Sequence, residues 1–157
     1  MSQKRKYPLI IRFFAVLLAI LLVTPANAVA TSNEEITPRA SDYLSSYNAY
    51  SYNAALYKIQ IYFDVTGVNY MDEIGALTVR IYESTDNETW TWVHTVKHTA
   101  QSSMLGNNKV YHSDHVDYQG TIGRYYKAYI TIWAGKDGDG DTRYLWTNVV
   151  KASLFAG

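Results

Sequence analysis

The chain has 157 residues, 48% of them hydrophobic and 15% aromatic, and its 14 basic residues balance its 14 acidic ones. This balance excludes the strongly basic surface of a typical nucleic-acid-binding protein. The chain contains no cysteine, which excludes disulfides, thiolate metal sites and lipid attachment to a cysteine. Stability must therefore come from buried apolar side chains, and the length suffices for one domain with its own core.

Residues 1–30 have the pattern of a cleavable bacterial-type signal peptide. An unbroken run of eleven apolar residues at 13–23 precedes two Ala-x-Ala motifs that end at Ala28 and Ala30. A basic head stands before this run and contains Lys4, Arg5, Lys6 and Arg12. A membrane-spanning helix needs roughly 20 apolar residues, so the run is too short for a stable anchor. The pattern predicts export, with cleavage after Ala28 or Ala30, and a secreted protein that is released or loosely held at the cell surface.

Cleavage would change the charge balance of the chain. Four of the 14 basic residues lie within residues 1–30, which leaves 10 basic residues against 14 acidic ones and a net charge of −4. Clustered Lys and Arg side chains are what attracts a protein to nucleic acid or to anionic lipid. We therefore expect no nucleic-acid partner, and no membrane partner once the signal peptide is removed.

The chain after the leader is predicted to be all-β. Residues 31–40 are polar and lack periodicity, which predicts a flexible lead-in, and residues 41–157 are predicted to form one β domain. Apolar and polar residues alternate most clearly in three segments, which are 55–65, 76–84 and 123–135. Weaker alternation predicts four more strands, at 43–52, 89–98, 109–118 and 142–151. About seven short strands without an amphipathic helix predict a single antiparallel β-sandwich, preceded by the signal-peptide helix.

Turn residues separate these predicted strands. Clusters rich in Gly, Asn and Asp predict turns at 66–69, 85–88, 105–108 and 135–141. Residues 71–75 are predicted to form one short turn of helix. Within the strands, the alternation predicts one buried face and one exposed face along each of them.

The segment 123–135 resembles the sixth strand of immunoglobulin-like and fibronectin type III-like sandwiches. In those folds a tyrosine two residues before an inward-facing position ties the strand to a corner. Tyr126 stands two residues before Ala128 in the same way. Ala128 replaces the cysteine of a true immunoglobulin domain, so the resemblance concerns the architecture and implies no function.

Three longer segments carry a resemblance to a protein family. They are SDYLSSYNAY at 41–50, MDEIGALTVRIYESTDNETWTW at 71–92 and HVDYQGTIGRYYKAYITIWAGKDGDGDTRYLWTNVVKA at 115–152. Together they resemble small secreted proteins of Firmicutes, many of them from gut clostridia. The resemblance implies a secreted β domain, and it assigns neither an activity nor a functional residue.

An acidic loop is the most distinctive polar feature of the sequence. Asp137, Asp139 and Asp141 alternate with glycine, as oxygen ligands do in the first half of an EF-hand calcium loop. Thr142 and Asn148 stand where that loop requires glycine and a bidentate glutamate. Two interpretations stay open, a solvated hairpin loop and a weak calcium site. No other cofactor is expected.

A second polar cluster lies between residues 112 and 117. His112 and Asp114 should point to one face of a strand, and His115 and Asp117 to the other. Only two ligands can then converge, whereas a zinc site needs at least three protein ligands. A metal-dependent hydrolase would require a third ligand from elsewhere in the fold. No other catalytic motif is present in the sequence.

The aromatic residues provide the leading hypothesis about function. Candidate binding residues are Trp90 and Trp92, which alternate along one predicted strand, and Trp133, Tyr144 and Trp146, which flank the acidic loop. The aromatic residues outnumber what one small core holds, which predicts an exposed aromatic patch. We therefore expect a non-catalytic extracellular module that binds a glycan or a protein. The alternatives are the small metal-dependent hydrolase and a structural envelope protein with a long, apolar, uncovered edge strand.

Overall fold

The computed structural model describes residues 41–156 of the chain. The predicted signal peptide (1–30) and lead-in (31–40) lie outside the described residues. Within 41–156 the fold consists of β-strands and one 3-10 turn at Ser102–Met104. The strands are β1 (Leu44–Asn53), β2 (Lys58–Ser84), β3 (Thr91–Lys97), β4 (Leu105–Gln119), β5 (Tyr125–Lys136), β6 (Asp139–Trp146) and β7 (Val150–Lys151). No helix in this part of the chain is long and apolar enough to cross a membrane.

The 27-residue strand β2 organises the whole sheet. Its first half pairs with β1 on one side and with β4 on the other. Its second half pairs with β5 on the first side and with β3 on the other. β6 and the short β7 extend the sheet beyond β5. All these pairs are antiparallel and belong to one sheet.

β2 runs unbroken through the predicted turn at 66–69 and the predicted helical turn at 71–75, so both predictions are wrong. The register of β2 against β4 shifts between Thr66 and Met71, which marks a bulge. A bulge leaves residues unpaired and bends the strand without ending it. The glycine-containing segment therefore bends β2 and does not separate two strands.

The bend of β2 requires a glycine at position 75. Gly75 has φ +148°, a conformation that other residues rarely adopt, and a Cβ atom there would overlap the backbone oxygen of Met104. The predicted turn at 105–108 is also wrong, because these residues begin β4 and pair with β2. Asn108, with φ 50°, accommodates a local irregularity within that strand.

The core confirms the predicted alternation. Inward-facing side chains from both halves of the sheet form one buried cluster. Its largest members in the three clearest segments are Ile59, Ile61, Phe63, Val65, Val79, Ile81, Tyr126, Ile130 and Ile132. Burial of each aliphatic side chain contributes about 1.5–3 kcal/mol relative to exposure. This shared cluster holds the two halves of the sheet against each other.

Side-chain hydrogen bonds close the curl between β1 and the segment after β6. The amide of Asn148 accepts from the backbone N–H of Ser51 at 2.8 Å and donates to its carbonyl at 2.9 Å. The buried hydroxyl of Thr147 accepts from the Ser51 hydroxyl and from the Ala128 N–H, both at 2.9 Å. These side-chain hydrogen bonds replace the backbone ladder of a strand pair at this edge, because they satisfy backbone groups that would otherwise lack partners.

The structure confirms an all-β fold of seven antiparallel strands. All seven lie in one curled sheet, a half-barrel, so the sandwich and immunoglobulin-like parts of the prediction are not confirmed. The physical reason is the continuity of β2, which joins the two halves. The predicted corner contact of Tyr126 is present, because its buried hydroxyl accepts from the backbone N–H of Thr121 at 2.8 Å.

Candidate ligand-binding face

Most of the exposed tryptophan and tyrosine side chains of the second half of the sheet lie on its outer surface, which we call the tryptophan face. It is formed by Arg80, Tyr82, Trp90, Trp92, Lys127, Tyr129, Tyr144 and Trp146. Strand alternation turns these strand residues away from the core, since their neighbours Val79, Ile81, Ala128 and Ile130 are buried.

The strand register brings distant aromatic residues together on this face. Tyr129 of β5 lies opposite both Arg80 of β2 and Trp146 of β6. One step along the same face, Tyr82 lies opposite both Trp92 and Lys127. Residues separated by more than 60 positions in the chain therefore become neighbours.

Four aromatic rings are in contact on the face. The centroids of Tyr129 and Tyr144 are 5.9 Å apart with an interplanar angle of 5°. Trp146 lies 4.8 Å from Tyr129 and 5.1 Å from Tyr82, tilted by 46° and 57°. Tyr144 is 59% exposed and Trp146 is 48% exposed. The cluster is thus packed internally and still presents ring surface to solvent.

Lys127 lies at the centre of the cluster. Its Nζ atom is 4.2 Å from the ring centroid of Trp90 and 4.6 Å from that of Trp146. These distances are those of cation–π contacts. No carboxylate of residues 41–156 lies within 4.0 Å of this ammonium group. The rings therefore position a positive charge that lacks an acidic partner in the described part of the chain.

An open groove of about 410 Å³ lies beside the ring cluster. Its lining consists of Arg80, Tyr82, Trp92, Thr95 and Lys97. Trp92 is 60% exposed, and its indole N–H donates to the His94 carbonyl at 3.0 Å and to the Thr95 hydroxyl at 2.9 Å. These bonds fix the orientation of an exposed ring, as a preformed binding surface requires.

Trp133 lies apart from the other predicted binding residues. Its ring covers Gly135 and Gly140, where an added Cβ atom would lie 2.5 Å from ring atoms. A large ring above paired glycines compensates for their missing side chains. Of the predicted set, the structure therefore brings together Trp90, Trp92, Tyr144 and Trp146, and it gives Trp133 a packing role in the β5–β6 hairpin.

The three acidic residues of the β5–β6 hairpin make separate interactions. Asp137 and Gly138 have φ 54° and 84°, as a two-residue type I′ turn requires. Asp139 accepts a hydrogen bond from the N–H of Gly140, and Asp141 accepts one from the Ser41 hydroxyl, which lowers its pKa. Within residues 41–156, no group of three or more His, Cys, Asp or Glu side chains is placed to hold a metal ion. The backbone geometry of the loop is that of a two-residue hairpin turn.

The histidines of β4 point to opposite faces, as the strand geometry predicts. His112 is buried, and its Nε2 atom lies 2.8 Å from the carbonyl oxygen of Ser103. His115 lies on the outer surface, with its Nε2 atom 3.6 Å from Asp117. The described part of the chain brings no third ligand to either residue. In residues 41–156, His112 and His115 therefore do not belong to a group of three metal-ligating side chains.

The first half of the sheet carries a second aromatic surface, which we call the tyrosine face and define as Tyr50, Tyr52, Tyr62 and His115. Tyr62 is stacked against all three others, with ring centroids 5.3, 5.4 and 4.9 Å away. A hydrogen bond with the Tyr52 hydroxyl, with partial desolvation, raises the pKa of Tyr62 to about 12. Alternation within single strands does not predict this stack, because it forms across three strands and depends on their register.

Four members of the tryptophan face are not among the predicted binding residues, and they are Arg80, Tyr82, Lys127 and Tyr129. The alternation does place Arg80 and Tyr82 opposite the core residues of their strand. That signal identifies them as outward-facing, but their contact with β6 depends on the register of two strand pairs. Comparisons with known proteins add no family: no protein-family model matches the chain, and no curated protein or solved structure does either.

Proposed function

We propose that the chain is a secreted, non-catalytic binding module that binds glycans through the tryptophan face. One observation carries this proposal, the contact cluster of Tyr82, Tyr129, Tyr144 and Trp146 with its two most exposed rings open to solvent. Exposed apolar patches of this kind are uncommon on monomers and mark interaction sites. Flat aromatic rings fit the apolar C–H faces of sugars.

The composition of the face favours a glycan over a protein partner. Its outward-facing strand positions carry mainly aromatic, threonine and basic side chains, and the exposed aliphatic side chain beside Trp92 is Val93, at 36% exposure. Two of the threonines, Thr78 and Thr131, are hydrogen-bonded to each other at 2.9 Å across β2 and β5. Sugar recognition needs ring faces for stacking and polar groups for hydroxyls, and both types occur together here. A protein interface would normally add an aliphatic centre.

The edges of the sheet do not favour a structural envelope protein. That alternative needs a long, apolar, uncovered edge strand. β3 pairs with β2 alone, has seven residues, and includes His94 and Lys97. β4 has 15 residues, from Leu105 to Gln119, and carries the polar side chains of Asn107, Asn108 and Lys109 close to its start. Charged and polar side chains on an edge oppose edge-to-edge association.

The proposal also includes the export of the protein and its relationship to the protein family that it resembles. The leader at 1–30 supports secretion, and amino-terminal sequencing of the exported protein should show a first residue of Val29 or Thr31. We also propose that the chain is related to the small secreted proteins of Firmicutes that segments 41–50, 71–92 and 115–152 resemble. The proposal also keeps the architectural resemblance to immunoglobulin-like folds, which the corner contact between Tyr126 and Thr121 supports.

The proposal is tested by a glycan-binding screen of the secreted protein, with a variant on each face. Trp146→Ala removes the ring that contacts both Tyr82 and Tyr129, and we expect it to weaken binding at least tenfold, equivalent to about 1.4 kcal/mol. Tyr50→Ala removes an exposed ring from the tyrosine face and should bind as wild type does. An absence of glycan binding, or equal binding by Trp146→Ala and wild type, would contradict the proposal.

A further inference from the structure

We infer that the tryptophan face is selective for anionic glycans, polymers whose sugars carry carboxylate groups, and that Lys127 and Arg80 recognise the charge. The inference rests on the proposed function, because it names the ligand class of the same face. Its support is the distribution of charge across the sheet together with the position of Lys127 between two rings.

The face concentrates positive charge on a domain that is otherwise acidic. Residues 41–156 contain 9 basic and 12 acidic residues. Three of the nine, Arg80, Lys97 and Lys127, lie on the tryptophan face or line its groove. None of them has a carboxylate within 4.0 Å among the described residues. The face is therefore complementary in charge to an anion, whereas the domain as a whole is not.

The nearest acidic residue of these strands points away from the face. Glu83 lies next to Tyr82 in β2 and is directed inward, where it pairs with Arg124 and accepts from the Tyr126 hydroxyl. Its charge is thus already compensated on the opposite side of the sheet. No Asp or Glu occupies an outward-facing position between β3 and β6 on this surface.

The three cations form a diagonal line across the sheet. Lys97 of β3 lies opposite Thr78, Arg80 follows two positions later in β2, and Lys127 of β5 lies opposite Tyr82. Diagonal neighbours of this kind are about 7–8 Å apart. A line of regularly spaced cations fits a polymer with repeating charges better than it fits a single sugar. The groove between Arg80 and Lys97 lies along this line.

Lys127 is held where a bound sugar ring would reach it. Two indoles fix its ammonium group at 4.2 and 4.6 Å from their centroids. Cation–π contacts leave N–H donors of an ammonium group available, since ring faces accept no conventional hydrogen bond. A carboxylate on a sugar packed against Trp146 can therefore form a charge-assisted hydrogen bond with Lys127.

Rings and cations also occur together in single-stranded nucleic-acid sites, so that ligand class must be distinguished. Net charge does not separate the two classes, since polygalacturonate carries one negative charge per sugar and a nucleic acid one per nucleotide. The hydroxyls of Thr78, Thr95 and Thr131 lie on the face or line its groove and suit the hydroxyls of a sugar. We therefore favour the glycan, and the experiment includes oligothymidylate as a competing ligand.

The test compares polygalacturonate with its fully methyl-esterified form, because the two polymers share a backbone and differ in charge. Binding is measured by calorimetry at low and high salt for the secreted protein and three variants, Lys127→Gln, Arg80→Gln and Lys109→Gln. We expect at least tenfold tighter binding of the charged polymer by the wild type. Lys127→Gln and Arg80→Gln should each reduce this preference at least threefold, because each weakens binding of the charged polymer more than binding of the ester. Lys109→Gln, an exposed lysine on β4, is the matched control and should keep the preference.

The outcomes separate this inference from the proposed function. Equal affinity for the two polymers, or binding of a neutral glycan alone, overturns the charge selectivity and leaves the binding function intact. No binding to any glycan overturns both. Tighter binding of oligothymidylate than of polygalacturonate overturns the inference in favour of a nucleic-acid ligand. A preference that survives both Lys127→Gln and Arg80→Gln shows that these residues do not recognise the charge.

Discussion

The two outer faces of the curled sheet both carry aromatic clusters, but they satisfy their polar groups in different ways. On the tyrosine face the rings are nearly parallel, at 6°, 19° and 21°, and they cover one another. On the tryptophan face Trp146 is tilted by 46° and 57° against its neighbours, and Lys127 has no acidic partner in residues 41–156. The number of aromatic rings on a surface therefore does not by itself identify a binding site.

The tyrosine face and the tryptophan face also differ in how their charged groups are paired. Beside the tyrosine face, Asp117 accepts from the Gln60 amide at 2.7 Å and lies 3.3 Å from the ammonium group of Lys58. Gln60 in turn accepts from the Tyr52 hydroxyl. The polar groups of this face are therefore used within it, which suits a stabilising role. The unpaired cations of the tryptophan face suit a ligand instead.

The largest expected effect is the loss of stability caused by a cavity in the core that both halves of the sheet share. Phe63 is fully buried beneath the tyrosine face, and Phe63→Ala should lower the free energy of unfolding by about 3–5 kcal/mol. Because one cluster supports both halves, glycan binding on the other face should disappear at the same, lower urea concentration at which the variant unfolds. Tyrosine and tryptophan spectra follow unfolding of the two halves, and the binding assay is repeated along the urea series. Glycan binding that persists at urea concentrations where the tyrosine face has unfolded would show that the halves are independent.

A smaller loss of stability should follow from removing the hydrogen bonds that join β1 and β5 to the segment after β6. Thr147→Val removes the hydroxyl that serves both Ser51 and the buried N–H of Ala128. An unsatisfied buried N–H should cost about 1–3 kcal/mol of unfolding free energy. Thr91→Val, at an exposed position of β3, is the control and should change stability by less than about 0.5 kcal/mol. Equal effects of the two substitutions would contradict the proposed closure of the curl.

The smallest effect concerns the alkaline titration of the tyrosine face. The folded protein raises the pKa of Tyr62 to about 12, above the value of about 10 in an unfolded chain. The folded state holds this proton more tightly, so its stabilising contribution is complete below about pH 10 and is lost as the pH rises towards about 12. Tyr62→Phe should remove this part of the alkaline loss of stability. Tyr52→Phe should shift the titration of Tyr62 towards lower pH.

Alkaline unfolding can be followed by tryptophan fluorescence, since all four tryptophans lie at positions 90, 92, 133 and 146 in the other half of the sheet. Tyrosinate absorbance reports the titration itself. Superimposable alkaline profiles of Tyr62→Phe and wild type would show that the stack does not couple ionisation to folding.

Local patterns in the sequence were sufficient to predict the strands and the buried faces. The alternation from Ile59 to Val65 identified the core side of β2 before any pairing was known. The path of β2 through its bend could not be predicted, because Gly67 and Gly75 resemble turn residues when no partner strand is visible. Their requirement comes from close contacts with Met71 and Met104.

Which residues meet on the tryptophan face depends on the register between β5 and β6. The segment from Asp137 to Asp141 contains two Asp-Gly pairs, and either could form a two-residue turn. The structure places the turn at Asp137 and Gly138, which sets Trp146 opposite Tyr129. A turn at the second pair would keep the outward residues outward but would give them other partners. Sequence periodicity therefore predicted exposed aromatics without predicting their contacts.

The most direct test of the account follows the four indole N–H resonances by NMR while oligogalacturonate is added to the secreted protein. The account predicts saturable shifts for Trp90, Trp92 and Trp146, a smaller shift for Trp133, and no shift for the backbone amides of the tyrosine face. Shifts confined to the tyrosine face, or indole resonances that stay unchanged while the ligand binds, would contradict it.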